Sequence, residues 1–233
     1  MLRLVDLSVD LYHGAPNFRM DPQMAVWQHL RIQDRGYNLS QLYFGTHQGT
    51  HVDPPKHFFD DGKTIEEIDA RRVFGPAWVL DLTHKKAKED ITVADLEAFS
   101  DKIGKGSRVI LHTGWDKQID DVEVYLNDQP NLTVEACEWL AEKGIACVAM
   151  DMPTLRVVEY FEVHHALLNP KAEVAIIESL RGLDRLQGEQ VILVALPLRI
   201  REGNGGPCRA MAIDGDIEPL VEMFEALEFD PND

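Results

Sequence analysis

Within the stretch 44–57, Phe-Gly-Thr-His-Gln-Gly-Thr-His-Val-Asp-Pro-Pro-Lys-His, the side chains of His47, His51, Asp53 and His57 fall inside eleven positions. Imidazole nitrogens and a carboxylate are donors for Zn, Mn or Fe(II). Three protein ligands leave positions open to water, which suits a catalytic ion better than a structural one. Histidines four apart can share a helix face, but Gly45, Gly49, Pro54 and Pro55 make a helix unfavourable here. The expected conformation is a strand ending near His47 and then a loop that folds back, its glycines letting the backbone approach an ion. A single histidine is more often a surface or core residue than a ligand. Four donors on one Gly- and Pro-shaped segment outweigh that reading.

The segment resembles the signature of the cyclase family of metal-dependent hydrolases, which includes bacterial kynurenine formamidases and isatin hydrolases. The family pattern His-x-Gly-Thr-His-x-Asp-x-Pro-x-His is met by His47, Gly49, Thr50, His51, Asp53, Pro55 and His57. The resemblance implies that His47, His51 and Asp53 are metal ligands and that His57 is the catalytic acid/base. A second likeness runs through His164-His165-Ala-Leu-Leu168 and the Ile-x-Glu-x-Leu pattern ending at Leu180. From these segments the family draws a distant His and a Glu. His164 and Glu178 fill those places, with His165 as the alternative to His164. Glu178 in its apolar run would otherwise be an unpaired buried carboxylate. The resemblance also implies Zn or Mn as one or two divalent ions per chain, with Asp53 bridging if two bind: His47 and His51 on one, the distal His and Glu178 near the other. It further implies a homodimer or higher homo-oligomer, and a single α/β domain over 1–233 of the swivelling β/β/α type, a mixed sheet with flanking helices. Where kynurenine formamidases carry a Trp-Pro-Gly-Asp-like stretch, this chain reads Asn17-Phe18-Arg19-Met20-Asp21-Pro22. Phe18 and Arg19 are the substrate-contact candidates there.

Elements must bring these residues together. Alternation predicts strands over 2–8, 37–44, 77–82, 107–113, 145–150, 174–180, 190–200 (interrupted at Pro197) and 208–213. Proline and glycine mark loops at 12–22 and 58–62, and 120–131 reads as an acidic loop. Helices are expected around Ile65 and Ile68, over 92–103 from a capping box at Thr92 and Asp95, from Thr133 to the stop at Gly144, and over 217–229. His112, inside an apolar strand, reads as a core or supporting residue rather than a ligand, and Asp151 as a group that orients a ligand or caps a turn.

The chain has 233 residues, 45% of them hydrophobic, as in an ordinary globular protein. Its net charge of −17, without a basic stripe, argues against nucleic acid or an anionic membrane as a partner. Cys137, Cys147 and Cys208 form no close-spaced framework. With no leader-like start, reduced thiols in the cytoplasm are expected. The function expected is hydrolysis of the C–N bond of a small formamide or cyclic amide, arylformamidase-like, by a metal-activated water. Three rivals remain: a lactone or cyclic-ester hydrolase, a non-haem Fe(II) oxygenase built on His51-x-Asp53 and a distant His, and a non-catalytic metal-binding protein. Helix signals count against the jelly-roll barrel of most such oxygenases.

Overall fold

A computed structural model describes residues 1–226. Its strands are β1 (Arg3–Asp6), β2 (Ala25–Leu30), β3 (Leu39–Tyr43), β4 (His51–Asp53), β5 (Phe74–Asp81), β6 (Asp90–Ile91), β7 (Arg108–His112), β8 (Asn131–Leu132), β9 (Cys147–Met150), β10 (Ala175–Glu178), β11 (Gln190–Val194), β12 (Gly206–Pro207) and β13 (Met211–Asp214). The α-helices are α1 (Ile32–Arg35), α2 (Val93–Glu97), α3 (Val122–Asn127), α4 (Val134–Glu142), α5 (Tyr160–Leu168) and α6 (Glu218–Glu225).

Nine strands form one sheet in the order β1-β13-β11-β5-β7-β9-β10-β4-β12. Its centre, β5-β7-β9-β10, is parallel, and antiparallel strands extend it on both sides. Parallel neighbours need crossovers, and α2, α4 and α5 lie in those connections. Side chains alternate between two apolar layers. Val109, Leu111, Val148 and Met150 pack with the helices, including Leu140 of α4 and Leu167 of α5. Ile110, Cys147 and Ala149 point to the other layer, with Val5, Val191 and Leu193. This period of two fixes which face each strand residue serves.

The expected mixed α/β sheet is present, with local differences. Residues 51–53 are a strand rather than a loop: Gly49, at φ +64°, and Pro54 bracket it, and it pairs with β10 on one side and β12 on the other. The glycines and prolines mark the ends of a short buried strand. Strand 37–44 is the second arm of a β2–β3 hairpin outside the main sheet. The region 120–131 contains α3, started by Asp121, whose carboxylate accepts from Val124 N. Around Ile65 and Ile68 there is no helix; a 3₁₀ turn at Ala70–Arg72 follows instead. The helix expected over 92–103 stops at Glu97, although Thr92 N donates to Asp95 as the capping box requires. Strand 190–200 ends at Val194, and Pro197 makes only an isolated bridge to Cys208. Phe224 of α6 packs edge-on to Phe74, while Leu227 and Phe229 lie outside the described residues. Among the described residues, no helix is long and apolar enough to cross a membrane.

Candidate metal centre and substrate cavity

Strand register assembles the centre. In the antiparallel β10–β4 pair, Glu178 lies opposite His51 and Ile176 opposite Asp53, so His51, Asp53 and Glu178 share the face covered by the helices. Val52, between the two ligand candidates, packs into the opposite layer. The α5 helix then adds His164, on the inward stripe it shares with Val163, Leu167 and Leu168.

Hydrogen bonds set the direction of each ring. His51 Nδ1 donates to the Gly49 carbonyl at 2.8 Å, and His164 Nδ1 to the Tyr160 carbonyl at 2.6 Å. A carbonyl can only accept, so in each neutral ring Nε2 carries the lone pair. His51 Nε2 faces Asp53 Oδ1 at 3.2 Å and Glu178 Oε2 at 3.5 Å, and His164 Nε2 faces Glu178 Oε1 at 3.6 Å. His47 Nδ1 bonds Asp53 Oδ1 at 2.7 Å. Lone pairs and carboxylates thus crowd one space, and only a cation between them, proton or metal, relieves the repulsion. His51 shows the strain: burial works to lower its pKa, but Asp53 and Glu178 raise it to about 9. Burial likewise opposes ionisation of Asp53, yet the imidazoles of His51, His47 and His57 hold its carboxyl well below the usual range.

Three buried atoms of this cluster, His47 Nε2, Asp53 Oδ2 and Glu178 Oε1, have no hydrogen-bond partner. Nitrogen and carboxylate donors of this kind fit a divalent ion. The donor atoms fall into two triads that share Asp53: His47–Asp53–His57 and His51–Asp53–Glu178. This grouping differs from the expected division, in which His47 and His51 served one ion. His57 stacks on His47 with ring centroids 3.8 Å apart and faces the cavity. Burial, reinforced by the neighbouring histidines, outweighs Asp53 and lowers its pKa to about 3, so the ring is neutral.

Above the cluster opens a cavity of about 600 Å³. Part of its wall follows the C-terminal ends of β7, β9 and β10, where open α/β sheets bind ligands. Phe18, Phe58, Tyr160 and Phe161 give it an aromatic side. Phe58 stacks on His164 at 4.6 Å and holds that ring in place. Phe18 therefore lies where a substrate contact was expected, whereas Arg19 is not among the lining residues and approaches Glu123 at 3.8 Å. His165 is exposed, lies against Phe59 and also lines the cavity, but among the described residues it is His51 and His164 that pair with Glu178. His112, beside Asp81, does not line the cavity.

Sequence reasoning passed over Phe58, Tyr125, Ser179 and Arg181, which all line the cavity. Ser179 has φ +59°, rare for a residue with a side chain, and its Oγ receives the Tyr125 hydroxyl at 3.2 Å. The available signals were that Phe58 follows His57 and that Ser179 and Arg181 lie close after Glu178. Gly205 was also missed: a Cβ there would stand 2.5 Å from the His47 ring.

The family model named Cyclase matches residues 5–156, more than half of the chain. The chain belongs to the cyclase family. An isatin hydrolase of Roseibium aggregatum is 32% identical over 194 residues, covering 74% of this chain and 73% of that relative. A kynurenine formamidase of Bacillus cereus is 30% identical over 176 residues, covering 75% and 79%. Among solved structures, isatin hydrolase A from Ralstonia solanacearum superposes with a TM-score of 0.82 at 23% identity, covering 92% of each chain, and so shares the cyclase fold. A structure described as a potential metal-dependent hydrolase with cyclase activity has a TM-score of 0.76 at 26% identity, covering 93% of this chain and all of that one. The mixed sheet with helices matches this fold, and no jelly-roll barrel is present among the described residues.

Proposed function

We propose that this protein is a metal-dependent hydrolase that cleaves the C–N bond of a small formamide or cyclic amide, most simply an N-formyl arylamine. The observation that carries the reading is the convergence of unpaired buried donors, His47 Nε2, Asp53 Oδ2 and Glu178 Oε1, beneath an aromatic-walled cavity. His47, His51, Asp53, His164 and Glu178 would hold Zn or Mn. A divalent ion there supplies a Lewis acid that lowers the pKa of water and stabilises negative charge on a carbonyl oxygen. His57, neutral and open to the cavity, takes a proton from the attacking water and returns it to the leaving nitrogen. Burial of the cluster keeps bulk water from screening these charges. Phe18, Phe58, Tyr160 and Phe161 seat an aryl ring by stacking and edge contacts.

We further propose a homodimer, with the exposed apolar residues of the hairpin, Trp27, Leu39, Leu42 and Tyr43, in its interface. The buried thiols Cys137 and Cys147 suit a reducing, cytoplasmic compartment. The test joins elemental analysis with turnover. Protein carrying Zn or Mn should hydrolyse formanilide or a cyclic imide and lose the activity on chelation. Stoichiometric iron with oxygen-dependent turnover, or cleavage of lactones without amides, would replace the proposal.

A further inference from the structure

Glu178 ends β10, and the chain then turns sharply through Ser179 and Leu180 to Arg181. The backbone there is held firmly. Arg181 N donates to the Leu7 carbonyl at 2.8 Å, and Gly182 N to the buried carboxylate of Asp116 at 2.7 Å. The side chain, by contrast, is uncommitted: among the described residues no hydrogen bond or ion pair engages its guanidinium. Arg3, Arg72, Arg108, Arg156, Arg185 and Arg209 all have carboxylate or carbonyl partners. Among the described residues, Arg181 is also the only lysine or arginine that lines the reaction cavity. It borders, too, a smaller polar recess of about 360 Å³, whose other cations, Lys117 and Arg185, are paired with Asp184 and with backbone carbonyls.

We propose that Arg181 is a specificity-determining residue that binds a carboxylate carried by the substrate's aryl group, remote from the bond that is cut. The inference rests on the hydrolase reading above and narrows its substrate class to anionic arylformamides or their cyclic equivalents. A guanidinium offers two parallel N–H donors that match a carboxylate; Arg181 itself is exposed, and an aryl group seated in the cavity would shield the pair from water. The rest of the wall sharpens the choice. Asp10, Asp21 and Asp120 line the same cavity, so away from the metal cluster an anion is repelled and Arg181 is the one cationic side chain to receive it. An anionic substituent anchored at Arg181, just past Glu178, would orient the ring along the cavity and leave the scissile amide to the metal cluster.

The test compares matched charged and neutral probes on the zinc-loaded protein and its Arg181→Gln variant. For turnover, 4-formamidobenzoate should show KM raised at least about tenfold with kcat held within about twofold, while both constants for formanilide stay within about twofold. Arg181→Lys should recover part of the loss. For binding, calorimetry with 4-acetamidobenzoate and acetanilide should show the same charge-selective loss without any turnover. Equal weakening of charged and neutral probes, or no change for the charged one, would overturn the assignment. The two readings fail separately. A wild-type protein that hydrolyses neither formamide sinks the arylformamidase proposal, while calorimetry still decides the role of Arg181.

Discussion

Two groups of buried carboxylates stand near the C-terminal ends of the parallel strands, and they are treated in opposite ways. Asp151, after β9, is fully buried and accepts from Thr113 N, Thr113 Oγ1 and Gly114 N. Asp116 nearby accepts from Gly182 N. These groups hold turns, and their donors belong to the protein. Asp53 and Glu178 are almost as deeply buried, yet each keeps an oxygen without a partner, and apart from the His47 bond to Asp53 the groups facing them are the Nε2 atoms of His51 and His164. Burial alone does not mark a reactive carboxylate. The mark is burial without fixed donors, since an unsatisfied buried acceptor persists only where something else completes it.

Substitutions can break this contrast. We expect Asp53→Ala, which removes the carboxylate common to both donor triads, to abolish stoichiometric metal binding and all activity. Full metal content by elemental analysis would place Asp53 with the structural carboxylates. Next in size, His57→Ala should keep its metal and lose about a hundredfold or more in rate. If the metal is lost as well, His57 belongs to the His47–Asp53 triad as a ligand, and unaltered rate would remove it from the chemistry. Gly205→Ala should weaken metal affinity by about ten- to a hundredfold, because its Cβ pushes the His47 ring. Gly104→Ala, where a Cβ meets open space, should leave affinity as it is and serves as the control.

The smallest effect is expected at the satisfied site. Burial pushes the Asp151 carboxyl up from 3.8 to about 7, against the hydrogen bonds from Thr113 and Gly114. The native state then holds a proton that the unfolded chain releases, so this contribution to stability is full below about 4 and is lost as pH rises through about 7. Asp151→Asn should cost about 1–3 kcal/mol in urea unfolding at pH 5. It should also flatten the decline between pH 5 and 8 and leave metal content alone. A variant that lost its metal would show the two carboxylate groups to be parts of one centre.

Much of the donor set is legible in the sequence because His51 and Asp53 alternate on one strand and sit in a recognisable signature. What could not be read was that they lie on a strand at all: proline and glycine signal a break, and only the partners β10 and β12 reveal how short the unbroken piece is. Choosing between His164 and His165 is also within reach of the sequence. In a helix, position 164 lies three and four residues before Leu167 and Leu168 and so shares a face with both, while position 165 is spaced only to Leu168. Tyr125 and Arg181 were hidden for a different reason. Neither belongs to a motif, and tertiary packing alone brings α3 and the turn after β10 to the same wall. The hairpin strand β2 escaped notice because Trp27, Gln28 and His29 are all exposed and show no buried alternation.

The pairing of β4 with β10 also sets an order of events. Thr50 Oγ1 donates to the Ser179 carbonyl across 129 positions of chain, at the same junction that sets His51 opposite Glu178. A loop of that length closes late and slowly, after the local crossovers have formed. An ion therefore meets a complete set of donors only on a chain that has already folded. Metal should slow unfolding and leave the rate of refolding unchanged, which stopped-flow fluorescence with and without chelator would read directly. The cell could then load, exchange or strip the ion on finished protein, with no need to have it present while the chain is being made.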